Sequence, residues 1–425
     1  MSRRGLRSPG DVALLLGAMG LNSLPYGYTL VVLPIYLVDI GFSGGVIGAV
    51  TSVSSIANTI ALTPFALAAD RYGRKIFVLT GFLSSTAAYL LFAFTRDLGV
   101  IMLASALGGV GLAGGFSSAV WTPAWTALLA EKADTNRTGA FAWSQGIWAM
   151  ALTVGSAMSV IPFLLRTRLG VPYENSYEYA FLILAAFAII SGIVLIPVRE
   201  IRPEHTTAND TSNRGFLTFQ SRSQITKFSV TIGMIGFASG LGTQLLSLWY
   251  YRAYGTNETD LGPWFAVAEA TSLIVVPLIP RLVVRLGSAK SVLLTQGLSG
   301  GFLAVMVFAP TYQFAGTLYI VRNFFINIAW PIQQAYLMGT VRPEERASAS
   351  AITYTVWGVG SSLSPILAGY LLSGNSFVSI SAPVSIGGAI FLASAVAFYL
   401  FFRNIAPPEE SLSTRRTDVT GSGPA

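Results

Sequence analysis

Residues 76–95, IFVLTGFLSSTAAYLLFAFT, run for twenty residues without a charged side chain. As a helix that length crosses a hydrocarbon core of roughly 30 Å. Similar runs recur along the whole chain, and 53% of its 425 residues are hydrophobic against 11% charged, with a mean hydropathy of +0.62. Too few polar groups remain to coat a water-soluble surface of that size. Barrel strands would alternate apolar and polar residues over about ten positions, and these runs do not. The reading is an all-α integral membrane protein with twelve spans, at 12–38, 44–68, 76–95, 98–129, 139–165, 177–198, 226–251, 260–284, 290–309, 313–338, 347–373 and 377–402.

The net charge of +7 would suggest nucleic acid if the basic residues formed one patch. Instead they follow the loops of one membrane side. Of the 26 Lys and Arg, all but Arg96, Arg166, Arg168, Arg252 and Arg322 fall on the side of the N-terminus. The positive-inside rule therefore places both termini in the cytoplasm and the chain in the cell membrane as a multi-pass protein. The N-terminal MSRRGLRSPGDVALLLGAMG begins like a signal peptide, but its apolar run continues to about Leu37 without a cleavage site, so it reads as a retained first helix. With no Cys there is no disulfide, thiolate metal site or cysteine nucleophile. The single histidine, His205, falls in a polar stretch and reads as solvated. Gly108, Gly109, Gly111, Gly114 and Gly115 lie within a span and suit close helix approach, not a phosphate loop. No cofactor, metal or nucleic-acid partner is expected, and no enzymatic activity. The expected partners are a small-molecule substrate, membrane lipids and protons, with the chain acting as a monomer.

Residues 199–224, REIRPEHTTANDTSNRGFLTFQSRSQ, are polar and contain little that could form a core. They divide a six-span bundle at 1–198 from another at 225–403, and residues 404–425 read as a disordered cytoplasmic tail. The halves echo one another. Pro64 opens the stretch that leads to Arg71-Tyr72-Gly73, and Pro280 the one that leads to Arg285-Leu286-Gly287. Trp121-Thr122-Pro123 followed by Asn136-Arg137 is answered by Trp330-Pro331 followed by Glu345-Arg346. An internal repeat of this kind is characteristic of many secondary transporters.

On these residues the chain resembles the major facilitator superfamily. Asp70-Arg71-Tyr72-Gly73-Arg74-Lys75 matches the family's loop signature G-x-x-x-D-R-x-G-R-K except at its leading Gly, which is Ala66 here. Leu33-Pro34-Ile35-Tyr36-Leu37 at the end of span one is nearest to the drug and proton antiporter branch. Span four, however, has no Arg, and span five shows Val154-Gly155-Ser156 where the branch has a Gly-Pro pair. Ser364-Pro365-Ile366-Leu367-Ala368-Gly369 on span eleven is similar to that motif, in the other half. The resemblance implies two six-helix bundles that work by alternating access around a central cavity. It also implies a conformational role for the loop residues Asp70, Arg71, Gly73, Arg74 and Lys75, with Glu131 as an additional partner for Arg74.

The loop charges can be topology anchors. Asp70 can do more: a carboxylate near the amino end of span eleven, around 347–350, would be attracted to its unpaired N–H groups by about 0.3–2 kcal/mol. That contact would exist only with the cytoplasmic side closed. Gly73 permits the tight turn between spans two and three.

Glu269 and Arg322 are the charges well inside spans, where a charge costs at least about 2.5 kcal/mol. Each lies about nine residues deep, roughly 13 Å at the helical rise of 1.5 Å, so the two could pair. Alternatively Arg322 snorkels and Glu269 packs as a neutral acid. Since Arg does not release its proton, Glu269 is the intramembrane group able to carry one, and Arg322 is the natural partner of an anionic substrate. The resemblance implies that spans one, four, seven and ten line the cavity. Asn22, Tyr26, Gln244, Asn323 and Asn327, on spans one, seven and ten, are the substrate-binding candidates together with Arg322.

The leading expectation is proton-coupled efflux of a small organic solute. The rivals are an organic-anion transporter or facilitator that uses Arg322, and a non-transporting membrane sensor or scaffold.

Overall fold

The computed structural model describes residues 9–108, 114–133, 137–200, 220–342 and 345–405. Gly109, Gly111, Asn136, His205, most of the 199–224 stretch and the tail from residue 406 lie outside the described residues. Among those described, sixteen α-helices trace twelve crossings and no strand occurs. The first set comprises α1 (Pro9–Asp39), α2 (Gly44–Tyr72), α3 (Arg74–Phe94), α4 (Leu98–Leu107) with α5 (Gly115–Lys132), α6 (Arg137–Ala157) with α7 (Ile161–Leu169), and α8 (Tyr173–Leu195). The second comprises α9 (Arg222–Gly242) with α10 (Leu246–Tyr254), α11 (Glu258–Val275) with α12 (Leu278–Leu286), α13 (Ser288–Val305), α14 (Tyr312–Thr340), α15 (Arg346–Leu372) and α16 (Phe377–Phe402). Spans four, five, seven and eight thus each consist of two helices.

By length and composition nine spans among the described residues can cross a membrane, or ten when α11 and α12, bent by 63°, are taken as one. Span four fails that test because α4 and α5 are separated, and α14 because Arg322, Asn323 and Asn327 interrupt its apolar run. Pro277 and Pro280 explain the bend in span eight, since neither can donate to the carbonyl four residues back. Leu83, Phe94, Ile193, Val284 and Leu400 are exposed apolar side chains of the kind a lipid-facing surface carries.

On the side opposite the termini, called the far side here, Ser43, Asp97, Thr311 and Ser376 each accept a backbone N–H of the helix they start, and Asn257 and Asp260 form a capping box on α11. On the terminal side the turns between α2 and α3 and between α12 and α13 are made by Gly73 (φ +113°) and Gly287 (φ +75°), a region where a side chain is strained.

Helices α1–α8 pack mainly with one another, as do α9–α16, which gives two bundles. The bundles meet along α2 and α15, α6 and α11, and α1 with α10 and α11. In span seven it is the far-side helix α10 that touches the first bundle, and in span eight the far-side helix α11, whereas α9 and α12 pack within their own bundle. The seam between α2 and α15 is built from small residues. A Cβ on Gly44 would lie 2.6 Å from the Gly369 carbonyl oxygen, and Gly48 is as tightly placed against Pro365. Ser247 Oγ also donates across the seam to the Leu30 carbonyl at 3.2 Å. Among the described residues the bundles therefore meet through their far-side halves.

Candidate functional site

Glu269 projects from α11 at mid-span towards α14. Asn323 Nδ2 donates to the Ala268 carbonyl at 3.0 Å and to Glu269 Oε1 at 3.4 Å, while Asn323 Oδ1 accepts from Arg322 Nη1 at 3.1 Å. The amide thus stands between acid and base. No Arg322 nitrogen lies within 4.0 Å of the Glu269 carboxylate, so the two charges communicate through Asn323 and do not form a direct pair. Helical geometry explains this. Residues 322 and 323 leave α14 about 100° apart, and while Asn323 faces α11, the Arg322 guanidinium lies 5.1 Å from the Phe391 ring of α16. Arg322 is 6% exposed and its Nε has no partner among the described residues. One turn further along, Asn327 Nδ2 donates to Thr271 Oγ1 at 3.4 Å. The amide strip of α14 therefore joins it to α11.

The other candidates lie elsewhere. Tyr26 is 1% exposed, accepts from Trp121 Nε1 at 3.2 Å and packs on Trp148. Asn22, one turn earlier on α1, is fully buried with neither amide atom partnered. Gln244 sits at the break between α9 and α10, where its Nε2 donates to the Ser361 carbonyl at 3.4 Å and its Oε1 is free. Among the described residues no hydrogen bond links Asn22, Tyr26 or Gln244 to the Glu269 cluster.

At the terminal side the loop residues form a connected group. Arg74 pairs with Asp70 at 3.1 Å and with Glu131 of α5 at 3.4 Å. Lys75 Nζ donates to the Ile196 carbonyl at 2.6 Å, and Arg71 lies over the Tyr72 ring. Asp70 is 64% exposed at its side chain and, among the described residues, makes no hydrogen bond or ion pair with α15. Glu200, which sequence reading missed, accepts the backbone N–H groups of Arg74 at 2.5 Å and Lys75 at 3.1 Å, so it caps α3 from the end of span six. Its signal was an acid immediately after a span end, facing the loop signature. Glu345 does the corresponding work for α9 by accepting the Gln220 and Ser221 amides at 2.8 and 3.0 Å. Desolvation alone would push its carboxyl up, but the Ser221 hydroxyl, those amides and Arg342 bring it below the ordinary range. A buried Lys132 paired with Asp11 at 2.9 Å was also missed.

Two six-span helical bundles that meet through their far-side halves and carry a buried guanidinium and amide beside a half-buried acid at mid-span are the architecture of a membrane transporter. The family model described as Major Facilitator Superfamily matches residues 15–326 and 228–422, and the chain belongs to that family. It is 22% identical to Multidrug resistance protein MdtG of Proteus mirabilis over 88% of this chain and 90% of that one. It is 21% identical to Quinolone resistance protein NorA of Staphylococcus aureus over 88% and 92%. Among solved structures it resembles the nucleoside transporter NupG with a TM-score of 0.72 and 16% identity, over 92% of this chain and 99% of that one. The occupied, inward-facing structure of a bacterial homolog of the human lysosomal transporter Spinster superposes with a TM-score of 0.65 at 16% identity, over 97% and 98%.

Proposed function

We propose that this transporter exports a small organic solute by alternating access, coupled to protons carried by Glu269, with both termini and the linker in the cytoplasm. On that orientation the far side is external and the closed seam along α2 and α15 makes this the inward-facing arrangement. The two bundles, 1–198 and 225–403, are then the rocking units. Relatives named for multidrug and quinolone resistance support export of an organic solute.

The observation that carries the proton assignment is the contact at Glu269. Its carboxylate sits in the α11–α14 seam and, among the described residues, has one side-chain donor, Asn323 at 3.4 Å, and no cation within salt-bridge distance. It is thus able to gain and lose a proton without breaking an ion pair. Asn323 and Arg322 would report the protonation state to α14. The experiment is uptake or extrusion of lipophilic cations and organic anions in proteoliposomes under an imposed pH gradient. Glu269→Gln is expected to abolish the response to the gradient, by at least about tenfold, or 1.4 kcal/mol. An unchanged pH response in a folded Gln variant overturns the assignment.

The free Nε of Arg322 favours a second reading, in which an anionic substrate engages the guanidinium. Anion movement that needs no pH gradient and is lost in Arg322→Gln would select it.

A further inference from the structure

Arg166, at the end of α7 in the first bundle, donates through Nη2 to Oε1 of Glu258, the first residue of α11 in the second bundle, at 2.6 Å. Glu258 is 2% exposed, so its charge is removed from water and satisfied from the opposite bundle. The guanidinium is held on its own side as well: Nε donates to the Pro162 carbonyl at 3.0 Å, and its carbon lies 4.5 Å from the Tyr173 ring and 5.7 Å from the Tyr177 ring. The hydroxyls of both tyrosines donate to Asp39 Oδ2 at the end of α1, at 2.6 and 2.9 Å. One bundle therefore holds a preformed socket of Arg166, two rings and Asp39. The other inserts a single carboxylate.

Next to this pair, Gly262 of α11 packs on Ser156 and Ser159 of the first bundle so closely that a Cβ would displace the seam. Glu258 and Gly262 lie one turn apart on α11, so a parting of the bundles at this point separates the ion pair and the packing together. We infer that the Arg166–Glu258 pair is the external lock of the transport cycle, made in the inward-facing arrangement and broken in the outward-facing one, with Asp39, Tyr173 and Tyr177 as positioning residues. The cation stays aligned on the rings after Glu258 departs, so the lock can reclose without searching for its geometry. The inference rests on the alternating-access reading above and on none of the proton chemistry.

The test uses the absence of cysteine in the chain. Spin labels at Leu169→Cys and Val378→Cys, exposed far-side positions in different bundles, report the external separation directly in lipid nanodiscs. Glu258→Gln is expected to raise the widely separated population relative to the close one by about tenfold, corresponding to the loss of 1.4 kcal/mol. The exchange Arg166→Glu with Glu258→Arg should move it back towards the parent distribution. Asp39→Asn, which leaves the ion pair intact, should widen the distance distribution less than Glu258→Gln does. A Glu258→Gln protein that is monodisperse and keeps the parent distribution overturns the lock, and an Asp39→Asn protein that does so overturns the positioning role of Asp39. If Glu258→Gln does not fold, Arg166→Gln replaces it, and the parent distribution there counts equally against the proposal. Because the distance is read without substrate or pH gradient, failure of the lock is distinguishable from failure of proton-coupled export.

Discussion

At the scale of single residues, Asn323 is the group whose importance exceeds what its sequence position suggests. It satisfies the Ala268 carbonyl and Glu269 on one side and Arg322 on the other. Asn323→Ala strips all three at once in a buried setting, and leaving buried polar groups unpaired costs about 1–3 kcal/mol each. The expected outcome is a lower thermal unfolding midpoint in detergent than for Asn327→Ala, whose amide makes one long contact, at 3.4 Å to Thr271. Equal midpoints for the two variants would refute the bridging role. Glu269 and Arg322 were legible because an isolated charge in an apolar run is costly and therefore conspicuous. That an amide separates them was not. Helical phase fixes the angle between neighbouring side chains, but which helix stands opposite each face is a tertiary fact. The pairing of Arg74 with Asp70 and Glu131 was legible for the opposite reason, since these charges sit in a short motif and at a span end. Their partner Glu200 lies far along the chain, and nothing local to the motif points to it.

Among the elements, run length pointed to twelve spans, of which nine or ten among the described residues are long and apolar enough to cross a membrane, and it concealed how four of them are broken. The breaks follow local chemistry that a hydropathy average ignores. Span eight bends at Pro277, and span seven loosens at Thr243–Leu245 next to Gly242. Closure along α2 and α15 was similarly hidden, because Gly44, Gly48 and Gly369 read as ordinary small residues until the facing carbonyls are known. Gly48→Ala places a methyl against the Pro365 carbonyl. It is expected to part the far-side ends of α2 and α15 and to impair transport while leaving expression and helicity near wild type. Normal transport by the variant would mean that this seam has slack. The cap on α3 gives a second prediction at this scale. Glu200→Ala removes the acceptor of two amide groups at the helix start, a change worth about 0.5–2 kcal/mol for a capping residue. Faster hydrogen exchange at the Arg74 and Lys75 amides, with α13 unaffected, is the expected signature.

For the molecule as a whole, the division into halves could be read from the polar stretch after span six and from repeated Pro, Trp and Arg positions. The arrangement adopted could not, because in the alternating access proposed above both arrangements use the same helices and differ by only a few kcal/mol. That small difference is where Asp70 belongs. In the present arrangement its carboxylate makes an exposed pair with Arg74 four residues on, a type worth about 0.3–0.5 kcal/mol. On closing the terminal side, the end of α2 would approach the start of α15, where unpaired N–H groups attract a carboxylate by about 0.3–2 kcal/mol. Asp70→Asn thus changes little in the arrangement described and removes a stabilising contact only from the other. The expected result is net transport slowed by between about two- and thirtyfold, the range those energies imply. Substrate affinity measured from the terminal side should stay the same or tighten slightly, since the inward-facing population can only grow. Initial rates in proteoliposomes, paired with equilibrium binding on the same preparation, separate the two effects. A wild-type rate with intact binding would confine Asp70 to its pair with Arg74, and a parallel loss of both would place its effect on folding of the α2–α3 turn.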